Sequence, residues 1–260
     1  MEPRVENSKG AQARVVAGLP LGCRVLLAED TFDSRRLLTI VLGKAGAEVV
    51  AVDHGQAAVE RTQEALREGR PFDAVVLDMA MPILNGYEAA QRMREAGYQG
   101  PIVALTAHVL PGEREKCLAA GCDDYVGKPV DRGLLITTLA RRMADRSSPL
   151  VSPPSGPSKP AKSLLESLPE AERTRLLKDF VGGLVERVGQ MEAAWRQQDT
   201  DNLIYLAHSI HGTAYLFSFP DIAASAGAIE RGLRNEAPIE QLEPDMTRLA
   251  GLCREAAAKL

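Results

Sequence analysis

The chain is short of long apolar runs, of cysteine and of net charge, and each shortage closes off a class of function. The apolar stretches Val25–Ala28 and Ala74–Leu77 are far too short to cross a bilayer. Residues 1–20 are polar, broken by Pro3, Gly10, Gly18 and Pro20, and lack the apolar core of a secretory leader. They read as a flexible tail, so no membrane insertion is expected and a cytoplasmic location is. The four cysteines, Cys23, Cys117, Cys122 and Cys253, form no CxxC pair and no zinc-like spacing, which leaves reduced structural thiols. A formal charge of −4 over 260 residues gives no support for a nucleic-acid partner. No Walker-type phosphate loop is present, so a bound nucleotide is not implied.

What the sequence does contain falls into two blocks. With 45% apolar and 25% charged residues, the composition is that of a globular chain long enough for two domains. Five prolines crowd residues 149–160, which excludes a helix interior or a central strand. The region 146–162 is therefore a Pro/Ser-rich linker between a block at 21–145 and a block at 163–260.

The first block alternates short apolar runs with amphipathic stretches. Candidate strands are Arg24–Ala28, Glu48–Val52, Ala74–Leu77, Ile102–Leu105 and Asp124–Val126, with helices near 32–44, 55–68, 86–96, 112–120 and 131–143. Several strands are continuously apolar, as in a parallel sheet covered on both faces. The pattern predicts an α/β domain, a doubly wound (βα)5 unit with a five-stranded parallel sheet. The second block is all-α. Leu176, Phe180, Leu184, Val188 and Met191 recur at helical spacing, as do Leu203, Leu206, Ile210, Ala214 and Phe217. Further helices fit Asp221–Arg234 and Ile239–Lys259, with starts marked by Pro220, Pro238 and Pro244. Short loops between them predict an antiparallel helical bundle.

Sites in doubly wound folds gather at the carboxyl ends of the strands. Glu29 and Asp30 follow the first predicted strand and Asp78 follows the third. Three carboxylates at one rim repel unless a cation joins them, and an all-oxygen set with room for water suits Mg²⁺. Thr106 ends the fourth strand and Lys128 follows the fifth, adding a hydroxyl and an ammonium to the same rim. That combination serves a carboxylate nucleophile attacking phosphorus.

The pieces Leu-Leu-Ala-Glu-Asp (26–30), Val-Leu-Asp-Met-Ala-Met-Pro-Ile-Leu-Asn-Gly (76–86), Ala-Leu-Thr-Ala (104–107) and Asp-Tyr-Val-Gly-Lys-Pro (124–129) resemble the receiver domain of response regulators and hybrid histidine kinases. The resemblance implies Asp78 as phosphoacceptor, with Mg²⁺ held by Glu29, Asp30, Asp78 and the backbone carbonyl of Ala80. It also implies Thr106 and Lys128 on the phosphoryl group, Tyr125 as a switch aromatic, small Ala107 beside the acceptor, and a cis Lys128–Pro129 peptide. Asn85–Gly86 fits a tight turn before the third helix, and Met79 and Met81 read as packing residues.

In the second block, Leu-Ala-His-Ser-Ile-His-Gly-Thr-Ala (206–214) resembles the histidine-containing phosphotransfer domain. By position, His208 is the phosphorylatable histidine and Gly212 the glycine that bares the backbone beside it. His211 replaces the usual lysine, which implies slower or more pH-dependent transfer. The two resemblances together imply a phosphorelay in which Asp78 and His208 exchange a phosphoryl group with one another or with outside partners. Those partners are a sensor histidine kinase or other phosphohistidine donor, and a downstream receiver or phosphotransfer protein. Contact between the chain's own two domains is an open alternative. No ATP-binding kinase domain is evident, so any catalysis is self-directed phosphotransfer. The rival readings are a non-catalytic docking scaffold and a phosphatase-like sink for a partner's phosphohistidine.

Overall fold

The structure is a computed structural model and describes residues 19–20, 22–106, 111–144 and 164–259. The linker 146–162, Ala107 and residues 1–18 of the tail lie outside the described residues. Leu19 is buried, with its N–H on the Ala45 carbonyl at 2.8 Å.

The first block alternates β1 (Arg24–Ala28), α1 (Phe32–Lys44), β2 (Glu48–Val52), α2 (Gly55–Arg67), β3 (Ala74–Asp78), α3 (Gly86–Glu95), β4 (Ile102–Thr106), α4 (Pro111–Ala119), β5 (Asp124–Gly127) and α5 (Arg132–Ala144). All five strands are parallel, in the order β2-β1-β3-β4-β5. Asp78 is the last residue of β3 and does not follow it, because its pairing with Leu105 extends the ladder by one step.

The period of two along each strand divides the core into two layers. Val25, Leu27, Val76, Val103 and Leu105 face α1 and α5, where Leu37, Leu38, Leu135 and Ile136 meet them. Leu26, Ala28, Val75, Leu77 and Ala104 face the other way, onto Ala58, Ala89, Met93 and Cys117 of α2, α3 and α4. Burial on both sides is why the central strands carry no polar residue before their ends. Asp124 opens β5 at the end of the sheet away from the acidic rim. Arg141 at 2.6 Å and Arg142 at 3.0 Å bind its carboxylate and tie α5 to the sheet.

The second block begins with a 3₁₀ turn (Leu164–Ser167) and then forms α6 (Glu170–Gln197), α7 (Thr200–Leu216), α8 (Pro220–Arg234) and α9 (Glu243–Ala258). Each helix packs on the next and α9 closes on α6, so the four form a bundle. Phe180 and Phe217 stack at 4.2 Å in its core. The expected helix from Ile239 to Lys259 is corrected: residues Ile239–Leu242 form a 3₁₀ turn, and α9 starts at Glu243. Pro244 fits the first turn of α9, where no N–H is needed, but would break a helix running through it.

The bundle rests on the α1 face of the sheet domain. Leu165 and Leu168 belong to the same buried cluster as Leu37 and Leu38, so one apolar core runs through both blocks.

Candidate functional site

The rim is assembled by strand ends. Glu29 follows β1, Asp78 ends β3, Thr106 ends β4 and Lys128 follows β5. Carboxylate oxygens of Glu29, Asp30 and Asp78 all lie within 4.8 Å of one another. The Lys128 ammonium donates to Asp78 Oδ2 at 2.6 Å and to Glu29 Oε2 at 3.2 Å. The other Asp78 oxygen accepts the Ala80 N–H at 3.1 Å. Thr106 is buried, and its carbonyl accepts the Lys128 N–H at 2.7 Å. The Lys128–Pro129 peptide is cis. Arg35 donates to the carbonyls of Glu29 and Asp30 at 2.6 and 2.9 Å, which fastens the acidic loop to α1.

Asn85 caps α3 by accepting the Glu88 N–H, and Gly86 opens that helix against β3. A side chain at Gly86 would run into the Asp78 carbonyl and Met79, so the turn needs glycine for space. Met79 and Met81 are buried in the core. Tyr125 is half-buried, packed against the layer under α2, α3 and α4.

The electrostatics of the rim are those of a crowded anionic pocket. Burial, reinforced by the charges of Asp78 and Asp30, pushes the Glu29 carboxyl up to about 8 despite Lys128 beside it. Asp30 is raised for the same two reasons, burial and the Asp78 charge. Burial alone would lower Lys128, but the Asp78 and Glu29 carboxylates outweigh it and hold the ammonium charged. One carboxylate oxygen, Asp30 Oδ2, is buried with no hydrogen-bond partner. A hard dication fits this donor set, since it would satisfy that oxygen and cancel the mutual repulsion.

The second set of groups lies on α7 and α8. His208 and His211 sit one turn apart and share one carboxylate, Glu230. His208 Nδ1 donates to Oε1 at 2.8 Å, and His211 Nδ1 donates to Oε2 at 3.0 Å. Arg234 reaches Oε1 at 3.0 Å. Burial would raise the Glu230 carboxyl, but the hydrogen bonds from both histidines and the Arg234 charge overrule it and hold it well below the usual range. Gly227 makes room for the His211 ring, because a Cβ there would stand 3.0 Å from its Cε1. A carboxylate only accepts, so Nδ1 of His208 carries a proton, and in the neutral ring the lone pair is then on Nε2. That Nε2 is buried and has no hydrogen-bond partner.

Sequence reasoning missed Glu230. The signal was available in part. Ile222, Ala226, Ile229 and Leu233 mark the buried stripe of α8, and Glu230 adjoins it, a charge placed where burial demands a partner. His208 itself is only 8% exposed. The reason is the seating of α7 on α1, which carries His208 to the rim. The ring lies within electrostatic reach of Asp30, and a Cβ at Gly212 would lie 3.9 Å from Lys128 Nζ. Tyr205, one turn before His208, faces Asp30, and burial with that charge pushes its hydroxyl up to about 12.

Residues 25–140 match the family described as "Response regulator receiver domain", and residues 175–259 match "Hpt domain". The receiver match is also carried by a whole protein. Two-component response regulator ORR41 of Oryza sativa subsp. japonica is 36% identical over 120 residues, 45% of this chain and 92% of that one. The chain belongs to the receiver family and continues into an Hpt domain. One similarity runs across both segments, to BarA, a signal transduction histidine-protein kinase of Escherichia coli K12. It is 27% identical over 242 residues, 88% of this chain. The chain spans 26% of BarA's length. Among solved structures, the receiver domain of sensor histidine kinase PA1611 from Pseudomonas aeruginosa PAO1 is 36% identical. It covers 48% of this chain and 99% of that one at a TM-score of 0.43, and its description names a magnesium ion in the active-site cleft. The two family matches, receiver and Hpt, include no ATP-binding kinase domain. Among the described residues, no helix is long and apolar enough to cross a membrane.

Proposed function

We propose that the chain is a phosphorelay module in which Asp78 of the receiver and His208 of the Hpt domain exchange a phosphoryl group. The observation that carries this is the pairing of two complementary centres across one domain contact. One is a carboxylate held at 2.6 Å by a buried ammonium, and the other a buried imidazole nitrogen without a hydrogen-bond partner.

In the loading direction, an Asp78 oxygen attacks the phosphorus of a phosphohistidine. The new P–O bond replaces the P–N bond, and the departing imidazole nitrogen keeps the electron pair. Lys128 and the Thr106 hydroxyl face the equatorial oxygens and offset their charge. In the unloading direction, the His208 Nε2 lone pair attacks the same phosphorus and the Asp78 oxygen leaves as carboxylate. Glu230 holds the Nδ1 proton throughout, so the imidazole stays aimed and attack comes from the ring whose Nε2 is unprotonated. Glu29, Asp30, Asp78 and the Ala80 carbonyl are the residues that would hold Mg²⁺. Bound there, the ion supplies positive charge to the phosphoryl oxygens.

The external partners in this reading are a phosphohistidine donor such as a sensor kinase, and a downstream receiver or phosphotransfer protein. Four buried free thiols agree with a cytoplasmic, reducing setting. The rival docking scaffold has no use for the unpartnered Asp30 oxygen and the unpartnered His208 nitrogen.

The test is a labelled phosphohistidine donor added to the full chain with Mg²⁺. Two populations of label are expected, one sensitive to hydroxylamine as an acyl phosphate, the other stable to alkali but lost in acid as phosphohistidine. A chain that takes up neither is a scaffold. A chain that only drains the donor is a phosphate sink.

Metal affinity is expected to depend on pH with a fixed sign. The Glu29 carboxyl is raised to about 8, so below that pH a proton competes with the cation. Mg²⁺ binding should therefore tighten as the pH climbs toward about 8 and release protons at neutrality. Calorimetry in two buffers of different ionisation heat reads that release. Identical heats in both buffers would contradict it.

A further inference from the structure

The receiver and the Hpt domain meet along α1 and α6, and the contact is lined by ion pairs. Asp33 bonds Arg187 at 2.6 Å, Arg36 bonds Asp179 at 2.6 Å, and Lys44 bonds Glu172 at 2.5 Å. As the numbers rise along α1 they fall along α6, so the two helices run antiparallel. The signs read minus, plus, plus on the receiver and plus, minus, minus on the Hpt domain. Gly183 helps the first pair, because its missing side chain leaves space for the Arg187 guanidinium beside Asp33.

A second line of contact is neutral. Thr31 meets Ser209 at 3.3 Å, and Ser34 donates to Thr213 at 3.3 Å, where α7 crosses the start of α1. Small hydroxyls let the helices approach but carry no sign. The hydroxyl line and the shared apolar core would accept many helical bundles. The charged line would not, since a bundle with a different sequence of signs meets like charges, and sliding α6 so that Asp179 meets Asp33 does the same.

We propose that these three crossed ion pairs are the specificity determinant by which the receiver selects its own Hpt domain, so that Asp78 and His208 exchange phosphate within one chain. The inference rests on the relay reading for its purpose but not for its physics. Charge pairs at the margin of an apolar contact fix register and exclude wrong partners more than they add affinity. Here the register they fix is the one that puts His208 at the rim. The occupant of the α1 face is the chain's own bundle because the two surfaces are complementary in sign and continuous in core.

The test uses the full chain in four forms: native; Arg36→Glu with Lys44→Glu; Glu172→Lys with Asp179→Arg; and all four changes together. None of these residues touches the rim carboxylates or His208. Small-angle scattering reads whether the two domains stay closed. Single-turnover chase reads passage of label from Asp78, loaded with acetyl phosphate and Mg²⁺, to His208. Each one-sided reversal is expected to open the chain and slow passage at least about ten-fold. The four-charge form, with signs restored in mirror image, is expected to close again and recover to within about three-fold of native.

One-sided reversals that change neither readout overturn the inference. So does a four-charge form that stays as open and slow as its parents. Closure or passage that strengthens with protein concentration also overturns it, because the pairs then join two chains. If scattering follows the charges as expected but label never reaches His208 in any form, the charge selection stands and the relay reading falls.

Discussion

The Asp78→Asn chain will accept no phosphoryl group from a phosphohistidine donor, a loss of at least about 10³-fold in the rate of acyl-phosphate formation. An amide has the same outline as the carboxylate, so the end of β3 keeps its packing and Lys128 keeps an oxygen to bind. The nucleophile is what disappears, because the amide oxygen carries no full negative charge and its nitrogen lone pair is delocalised. The substitution also removes one of the three carboxylates that face one another at the rim. His208 should remain chargeable in this variant by a phosphorylated outside receiver, which separates loss of the acceptor from loss of the fold. Acyl-phosphate formation in Asp78→Asn at a tenth or more of the native rate would move the acceptor elsewhere on the rim.

Glu230→Ala is expected to lower phosphoryl transfer to and from His208 by about 10²-fold. The carboxylate is 2% exposed and accepts from His208, His211 and Arg234. Without it the imidazole of His208 loses the partner that fixes its ring and its proton. Nδ1 and Nε2 then compete for that proton, and every molecule with the proton on Nε2 has no lone pair to offer. Glu230→Gln keeps an acceptor oxygen and should recover to within about ten-fold of native. Imidazole ¹⁵N shifts of His208 provide a readout that mere loosening of the bundle would not move. The native chain should show a protonated Nδ1 and a bare Nε2, and Glu230→Ala a mixture. An unchanged tautomer in the alanine variant would remove Glu230 from the mechanism.

The receiver half was legible because its strands announce themselves twice. They are continuous apolar runs, and they end in charged or hydroxyl residues that only a sheet rim can gather. Asp78, Glu29 and Lys128 are far apart in sequence, yet the rule that sites collect at carboxyl ends of parallel strands brings them together. The boundaries at Asp78 and Thr106 shifted by one because a last ladder pairing costs nothing visible in composition. Ile239–Leu242 was misread as helix because its apolar spacing suits a 3₁₀ turn as well as an α-helix.

Two features were not legible. The partner of His208 stands on another helix, and periodicity along α7 says nothing about which residue of α8 faces it. The pairing of charges on α1 with those on α6 is likewise invisible in the sequence. Asp33, Arg36 and Lys44 have the spacing of any exposed helix, and only the docked arrangement gives them opposite numbers.

The seating of α7 over the strand rim also bears on traffic in the proposed relay. His208 already stands at the rim that an outside imidazole would have to enter to reach Asp78. A donor from outside and the chain's own histidine would then take turns, like boats in a lock where one gate shuts before the other opens. The rate at which the two halves part would set an upper bound on how fast messages pass through, however quick the chemistry at phosphorus.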